Sequence, residues 1–256
     1  MKWREALETV VQATPFECGL YIRQLSTGET FTHNETKQFR SASLIKLFIF
    51  HHLFTERADR LMETVLFERK NAVRGGILHV ISDGAVFRVE DLAAFMLSVS
   101  DNTATNILID LLGMNAINEA ARRIGVRGTE LRRKMMDMDA ARAGRENYTT
   151  ASDVALVLVE ILKNRRMTEF LSVQKSSSGL PAMLPFDDMD EVEPILAHKT
   201  GGLPGISHDA GIFFYDDAPV VTVALTSGAA RRADGQAFCA SVGKVVYDAF
   251  LPGNKI

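Results

Sequence analysis

Ser43 and Lys46 stand three residues apart at the head of a strongly apolar segment, Leu44-Ile45-Lys46-Leu47-Phe48-Ile49-Phe50. At that separation on a helix the two side chains share a face and can meet. A segment apolar nearly all round marks a buried helix. A lysine carried into such a helix loses hydration, which lowers its pKa and lets it act as a base toward a neighbouring hydroxyl. The same lysine can also lay its stem along the helix start and keep its amine in water. Two further Ser-x-x-Lys pairs occur, Ser172 with Lys175 and Ser241 with Lys244. Spacing alone therefore does not single out Ser43; the apolar helix behind it does.

Two other short runs carry groups that chemistry could use. Ser100-Asp101-Asn102 follows a helical stretch from Asp91 to Ser98 and sets a hydroxyl, a carboxylate and an amide in a row. All three residue types also cap helices. Lys199-Thr200-Gly201 closes an apolar strand beginning at Ile195. A lysine and a hydroxyl at a strand end can hold a carboxylate, and glycine lets a ligand approach the backbone. The plain alternative is a strand running into the loop Gly201-Gly202-Leu203-Pro204-Gly205.

The rest of the chain must position these groups. Trp3, Leu7, Val10 and Val11 recur at helical spacing, which predicts an amphipathic helix over 2–13 that Pro15 stops. Cys18, Leu20 and Ile22 alternate with Gly19, Tyr21 and Arg23 as in a half-buried strand, and 30–33 returns after a Ser26-Thr27-Gly28-Glu29 turn. Near the other end, 195–200, 209–215 and 219–226 read as three strands, with a turn at Asp216-Asp217. A closing helix carries Phe238, Val242, Val245, Val246 and Ala249 and ends at Leu251-Pro252-Gly253. Residues between about 41 and 186 are mostly helical in period. The expected fold is α/β of the α+β kind. An antiparallel five-stranded sheet is built from 1–40 and 187–256 and flanked by the terminal helices. An all-helical domain, 41–186, is inserted, with the active site at the interface.

Composition narrows the partners. The formal net charge is −3, and the densest basic stretch, Arg132-Arg133-Lys134, is flanked by Glu130, Asp137 and Asp139, so no basic stripe invites nucleic acid. No stretch approaches the roughly 20 apolar residues that span a membrane. Glu5 and Glu8 interrupt what a secretory signal would need to be apolar, which leads us to expect a cytoplasmic protein. Cys18 and Cys239 fall on apolar faces and read as core. His51, His52 and His79 lack metal-ligand spacing, so neither metal nor cofactor is expected.

Taken together and in this order, the three motifs resemble those of the class A β-lactamase and penicillin-binding protein family. The resemblance covers nearly the whole chain. It includes Gly76-Ile77-Leu78, the extended run from Ser100 to Asn106, and Thr149-Thr150 opening a helix. It implies a β-lactamase/transpeptidase-like fold and a small acyl substrate. Ser43 would attack the acyl carbonyl, Lys46 would take its proton, and Ser100 would relay that proton to the leaving nitrogen. Asn102 would bind the substrate's side-chain amide, Lys199, Thr200, Gly201 and Gly202 would line the opposite wall, and the N–H groups of Ser43 and Gly202 would form the oxyanion hole. Lys46 is expected to work as a neutral amine and Lys199 as a cation.

The sequence departs from the family in two places. Class A enzymes carry a glutamate and, four residues on, an asparagine that hold the deacylating water; the stretch from Glu130 to Asp139 has no such pair. Counting back from Thr149 puts Lys134 near the glutamate's place and makes Asp137 the nearest carboxylate, either a substitute base or a solvated loop group. The family's carboxylate-holding arginine is also missing. His208 falls near its position, as a replacement or as a structural histidine, while Arg231 and Arg232 follow the last strand. β-Lactam hydrolysis is the leading expectation. The alternatives are a hydrolase of another amide or ester, and a sensing domain that is acylated and stalls.

Overall fold

The computed structural model describes residues 2–186, 188, 191, 195–215 and 218–250. Helix α1 (Lys2–Gln12) leads into β1 (Glu17–Gln24) and β2 (Thr30–His33). A short strand, β3 (Phe39–Arg40), and a 3₁₀ turn (Ala42–Leu44) then deliver the chain into α2 (Ile45–Glu56). The middle of the chain holds β4 (Thr64–Leu66), β5 (Val86–Arg88), α3 (Val89–Ser98), α4 (Asn102–Leu112), α5 (Met114–Arg123), α6 (Met138–Arg142), β6 (Tyr148–Thr149), α7 (Ala151–Leu162) and α8 (Arg165–Ser172). Strands β7 (Leu196–Leu203), β8 (Ile206–Phe213) and β9 (Val220–Ser227) and helix α9 (Arg232–Phe250) complete it.

Five strands form one antiparallel sheet in the order β2-β1-β9-β8-β7. The two ends of the chain meet where β1 pairs β9 along its full length, from Glu17 opposite Ser227 to Gln24 opposite Val220. Both faces of the sheet are covered, which explains why every residue of β8 is buried. One face packs Leu20, Ile22, Phe213 and Ala224 against Leu7 of α1 and Phe238, Val242 and Val246 of α9. Cys18 and Cys239 lie in that core, reduced, and burial raises both thiols. The other face sets Ala197, Ala210, Ile212, Val221 and Val223 against the helices, with α2 at the centre.

Helix α2 is buried from Ile45 through Phe54, as its predominantly apolar sequence demands, and it carries Lys46, His51 and His52 into the interior with it. The middle segment is not purely helical. It also carries the β4–β5 pair, and β6 pairs with β3. Strands of two or three residues are too short to leave an alternating pattern in the sequence. Helix α9 begins at Arg232, six residues before the apolar period becomes visible at Phe238, because its first turn is mostly exposed. The expected turn at Asp216-Asp217, the helix end at 251–253 and the proposed division at residue 187 lie outside the described residues. Among the described residues no helix is long and apolar enough to cross a membrane.

Candidate active site

Ser43 sits in the 3₁₀ turn that feeds α2, and Lys46 is the second residue of that helix. The Lys46 side chain is fully buried, and its amine donates to the carbonyl oxygen of Ser100 at 2.7 Å and to Asn102 Oδ1 at 2.9 Å. Ser100 Oγ lies 3.0 Å from the same nitrogen. Burial pulls the Lys46 pKa well below its usual value; nearby Lys199 adds to this and Asp101 opposes it. Once the amine is neutral it has one lone pair, which can accept from a hydroxyl. The alternative of an amine reaching water is excluded by its burial.

The run Ser100-Asp101-Asn102 serves both purposes that its residue types allow, on different residues. Asp101 is the cap. Its Oδ1 accepts from Ala104 N–H at 2.9 Å, and its Oδ2 accepts from the N–H groups of Ile77 and Leu78 at 2.6 and 2.8 Å. Gly76 makes that second contact possible, since a β-carbon there would fall 2.2 Å from Asp101 Oδ2 and its φ is +95°. Ser100 and Asn102, on either side of the cap, are left to face Lys46. Asn102 Nδ2 spends one hydrogen on the carbonyl of Arg74, at 2.9 Å, and keeps the other.

Strand β7 is a sheet edge, and it brings the third motif to the first. A β-carbon on Gly201 would lie 3.2 Å from the backbone nitrogen of Ser43, so glycine lets the strand close on the turn. Gly202 lines one cavity with Ser43 and Asn102. Lys199 differs from the expectation. It does not stand at an open strand end but is fully buried, donating to the Thr200 carbonyl at 2.9 Å. Burial brings its pKa down to about 7, with Asp209 pulling the other way, so its charge is only partial at neutral pH.

The carboxylate-binding candidates separate clearly. His208 Nδ1 accepts from Thr226 N–H at 3.1 Å, so Nε2 is the protonated nitrogen, donating to the Arg40 carbonyl at 2.9 Å. Burial lowers its pKa to about 4, against smaller opposing contributions from hydrogen bonds to Arg40 and Ser207. It is a neutral structural histidine. Arg231 is exposed and paired with Asp234 at 2.6 Å. Arg232 lies against the strand instead: a β-carbon on Gly202 would sit 3.6 Å from its guanidinium, and it lines a cleft with Ser178, Thr200, Gly202 and Gln236.

His208 also sets a pH dependence of stability. Unfolding returns its pKa from about 4 to near 6.5, so the unfolded chain binds the extra proton and stability falls as pH drops between those values. The contribution is complete above about pH 6.5, and roughly 2 kcal/mol of it is gone by pH 4.5. Urea unfolding at pH 7 and pH 4.5 should show this loss, and His208→Asn should shrink the difference between the two pH values. An unchanged difference in the variant would assign the acid sensitivity to other groups.

The loop before β6 holds the residues that the sequence did not reveal. Asp137 is not in the Ser43 cavity. Its carboxylate caps α6 by accepting from Ala140 N–H at 2.9 Å, and it lines a second cavity with Asn71, Asp110 and Lys134. Lys134 pairs there with Asp110, at 2.7 Å from Oδ2. The loop residues that line the Ser43 cavity are Met135, Met136 and Met138, of which Met135 and Met136 also border the Asp137 cavity. Asn106 fixes the loop, donating to the Met135 carbonyl at 3.0 Å and accepting from its N–H at 2.8 Å. The carboxylate that does line the cavity is Glu146. It takes hydrogen bonds from Arg133 Nε at 2.8 Å, from Arg40 at 2.7 and 3.0 Å, and from Asn147 N–H at 2.9 Å. Burial alone would raise its pKa; the Asn147 N–H and the two guanidinium groups overcome this and hold it below the usual range.

Backbone strain gathers at the same place. Only four non-glycine residues among those described have positive φ, and Ala42 (46°), Ser100 (55°) and Met136 (63°) are three of them. Each such conformation costs of order 1–3 kcal/mol and persists where its surroundings over-determine it, most often at functional sites.

Comparison with known proteins finds similarity along nearly the whole chain. A model of the beta-lactamase enzyme family matches residues 2–250. A beta-lactamase of Streptomyces lavendulae is 29% identical over 245 residues, covering 86% of this chain and 77% of that protein. The crystal structure of a beta-lactamase from Sphaerobacter thermophilus DSM 20745 superposes with a TM-score of 0.85 at 27% identity, covering 98% of each chain. The fold is shared with PBP-A, whose L158E mutant was solved as an acyl-enzyme complex with penicillin G; the TM-score is 0.82 at 23% identity, covering 97% of this chain and 95% of that one.

Proposed function

Since the chain belongs to the beta-lactamase enzyme family, we propose that it is a serine hydrolase that opens β-lactams through an acyl-enzyme on Ser43. One observation carries this reading: a fully buried amine, Lys46, bonded to Ser100 and Asn102 at the cavity that holds Ser43. Neutral Lys46 takes the Ser43 hydroxyl proton as Oγ bonds to the lactam carbonyl carbon. The carbonyl oxygen collects the charge and is held by the N–H groups of Ser43 and Gly202, donors of a kind that contribute about 2.7–4 kcal/mol each. The carbon–nitrogen bond then breaks, and the proton passes from Lys46 through Ser100 Oγ to the leaving nitrogen. The free hydrogen on Asn102 Nδ2 binds the substrate's side-chain carbonyl. Lys199, Thr200 and Arg232 hold its carboxylate, while Gly201 keeps the wall close.

A chromogenic cephalosporin followed by product release, intact mass and peptide mapping tests the reading. The expected result is a burst of about one equivalent with the adduct on Ser43. An adduct on Ser172 or Ser241, or no adduct at all, would overturn it. Arg232→Ala should lower acylation efficiency for carboxylate-bearing lactams by about tenfold or more, the worth of a charge-assisted hydrogen bond. Arg231→Ala, which removes a cation already paired with Asp234, should change little.

A second reading, acylation with little turnover, is favoured by a specific observation. The carboxylate that lines the cavity, Glu146, is committed to Arg40 and Arg133.

A further inference from the structure

On the loop side of the Ser43 cavity the polar side chains are already bonded to one another. Glu146 lies between Arg133 and Arg40. Asn147 Oδ1 accepts from the N–H groups of Arg132 and Arg133 at 2.7 and 3.0 Å, and its Nδ2 donates to the Arg133 carbonyl at 3.1 Å. What the loop offers a ligand is thioether and methyl surface. Met136 and Met138, which are 46% and 53% exposed, line this cavity together with the more buried Met135 and with Leu203 at the end of β7.

This surface is held in place. Asn106 clamps Met135 through both of its backbone polar groups. Met136 is fixed at φ 63°, a conformation that a non-glycine residue rarely adopts. Asp137 caps α6 and thereby sets Met138 at its first position. Exposed methionines cost solubility and gain nothing from folding, so a wall of them presented at a reactive serine points to an apolar occupant. Thioether side chains are flexible and polarizable, and they adapt to ligands of different outline, aromatic ones included.

We propose that Met135, Met136, Met138 and Leu203 form the subsite for the acyl side chain, and that it selects substrates carrying an apolar aryl or alkyl group there over polar or charged ones. This rests on the reading of Ser43 as the acylated nucleophile. A carboxylate in the same place would lose hydration among the thioether groups, and the nearest guanidinium, Arg133, is already bonded to Glu146.

The test uses two matched probe pairs on the whole protein, with Ser43 labelling rates read by intact mass and peptide mapping. One pair is a benzyl-side-chain penicillin and its α-carboxylate analogue. The other is a phenylalkyl and a carboxyalkyl fluorophosphonate, which report on the serine without requiring β-lactam chemistry. The apolar member of each pair should label at least about tenfold faster. Met136→Gln/Met138→Gln, which keeps chain length at two exposed positions, should bring the ratio to within about threefold by slowing the apolar member. Equal rates within both pairs overturn the inference and leave the β-lactam reading standing. A preference that survives intact in the double variant overturns the assignment to the methionines. A preference among the phosphonates with no penicillin adduct supports the inference and overturns the β-lactam reading alone. Labelling elsewhere than Ser43 by both series overturns both.

Discussion

Replacing Lys46 with arginine is expected to reduce acylation of Ser43 by at least about 10³-fold, the range for losing a general base. The argument is about protonation, not only size. The Lys46 amine is fully buried, with three oxygen atoms within hydrogen-bond distance, and its pKa is driven far down by burial and by Lys199. A guanidinium stays protonated in any protein environment, so it cannot accept the Ser43 proton. Lys46→Met, which keeps an unbranched stem and fits a buried site, separates loss of the base from disruption of packing. Both variants should fail to label, and the methionine variant should melt close to the wild type. The pH profile supplies an independent check. Acylation should rise with pH as Lys46 deprotonates and level off well below the value of a free lysine. For carboxylate-bearing substrates kcat/KM should then decline above about pH 7 as Lys199 loses its charge. Lys199→Arg should move that decline to higher pH. Robust acylation by Lys46→Arg would mean that another group activates Ser43.

The sequence revealed the parts of this site that sit on long, strongly patterned elements. Ser43 and Lys46 are legible because α2 is apolar nearly all round, the pattern of a helix buried for ten residues. The sheet was legible for the same reason, since β1, β7, β8 and β9 are each eight residues long and mostly buried. Lys199 was misjudged because a strand end looks solvated in one dimension. The sheet edge becomes buried only when the Ser43 turn packs on Gly201. The loop from Glu130 to Asn147 was least legible, because its organisation comes from contacts distant in sequence. Asn106 fixes Met135 from 29 residues away, and Arg40 reaches Glu146 from 106 residues away. Counting back from Thr149 placed Lys134 near the site, whereas Met135 is the residue pinned there. Lys134 borders only the Asp137 cavity, whereas Met135 borders the Ser43 cavity as well. A usable signal was nonetheless present: three methionines within four residues, 135, 136 and 138, are out of place in a solvated loop.

Deacylation is expected to be slow, and Met135→Glu should speed it by about 10²-fold or more. An acyl-enzyme on Ser43 needs a base to take a proton from the attacking water. The cavity presents Glu146, but two guanidinium groups and a backbone N–H occupy that carboxylate and depress its basicity. Asp137 is spent on capping α6 and lines a different cavity from Ser43. Lys46 is the remaining candidate: it is neutral again once its proton has reached the leaving nitrogen, but it would have to serve both steps. The wild type should therefore show a burst with a chromogenic cephalosporin, then a slow phase, with the adduct persisting by mass. Met135 is where a carboxylate would do most, because Asn106 holds both of its backbone polar groups and the residue lines the serine cavity. Asp137→Asn should leave the adduct lifetime nearly unchanged and cost about 1 kcal/mol or less of stability, since asparagine caps almost as well as aspartate. A prolonged adduct in Asp137→Asn would return that carboxylate to the mechanism. A linear trace with measurable turnover, no burst and no trapped adduct would mean that acylation limits the rate, and that the methionine-faced loop admits a competent water after all.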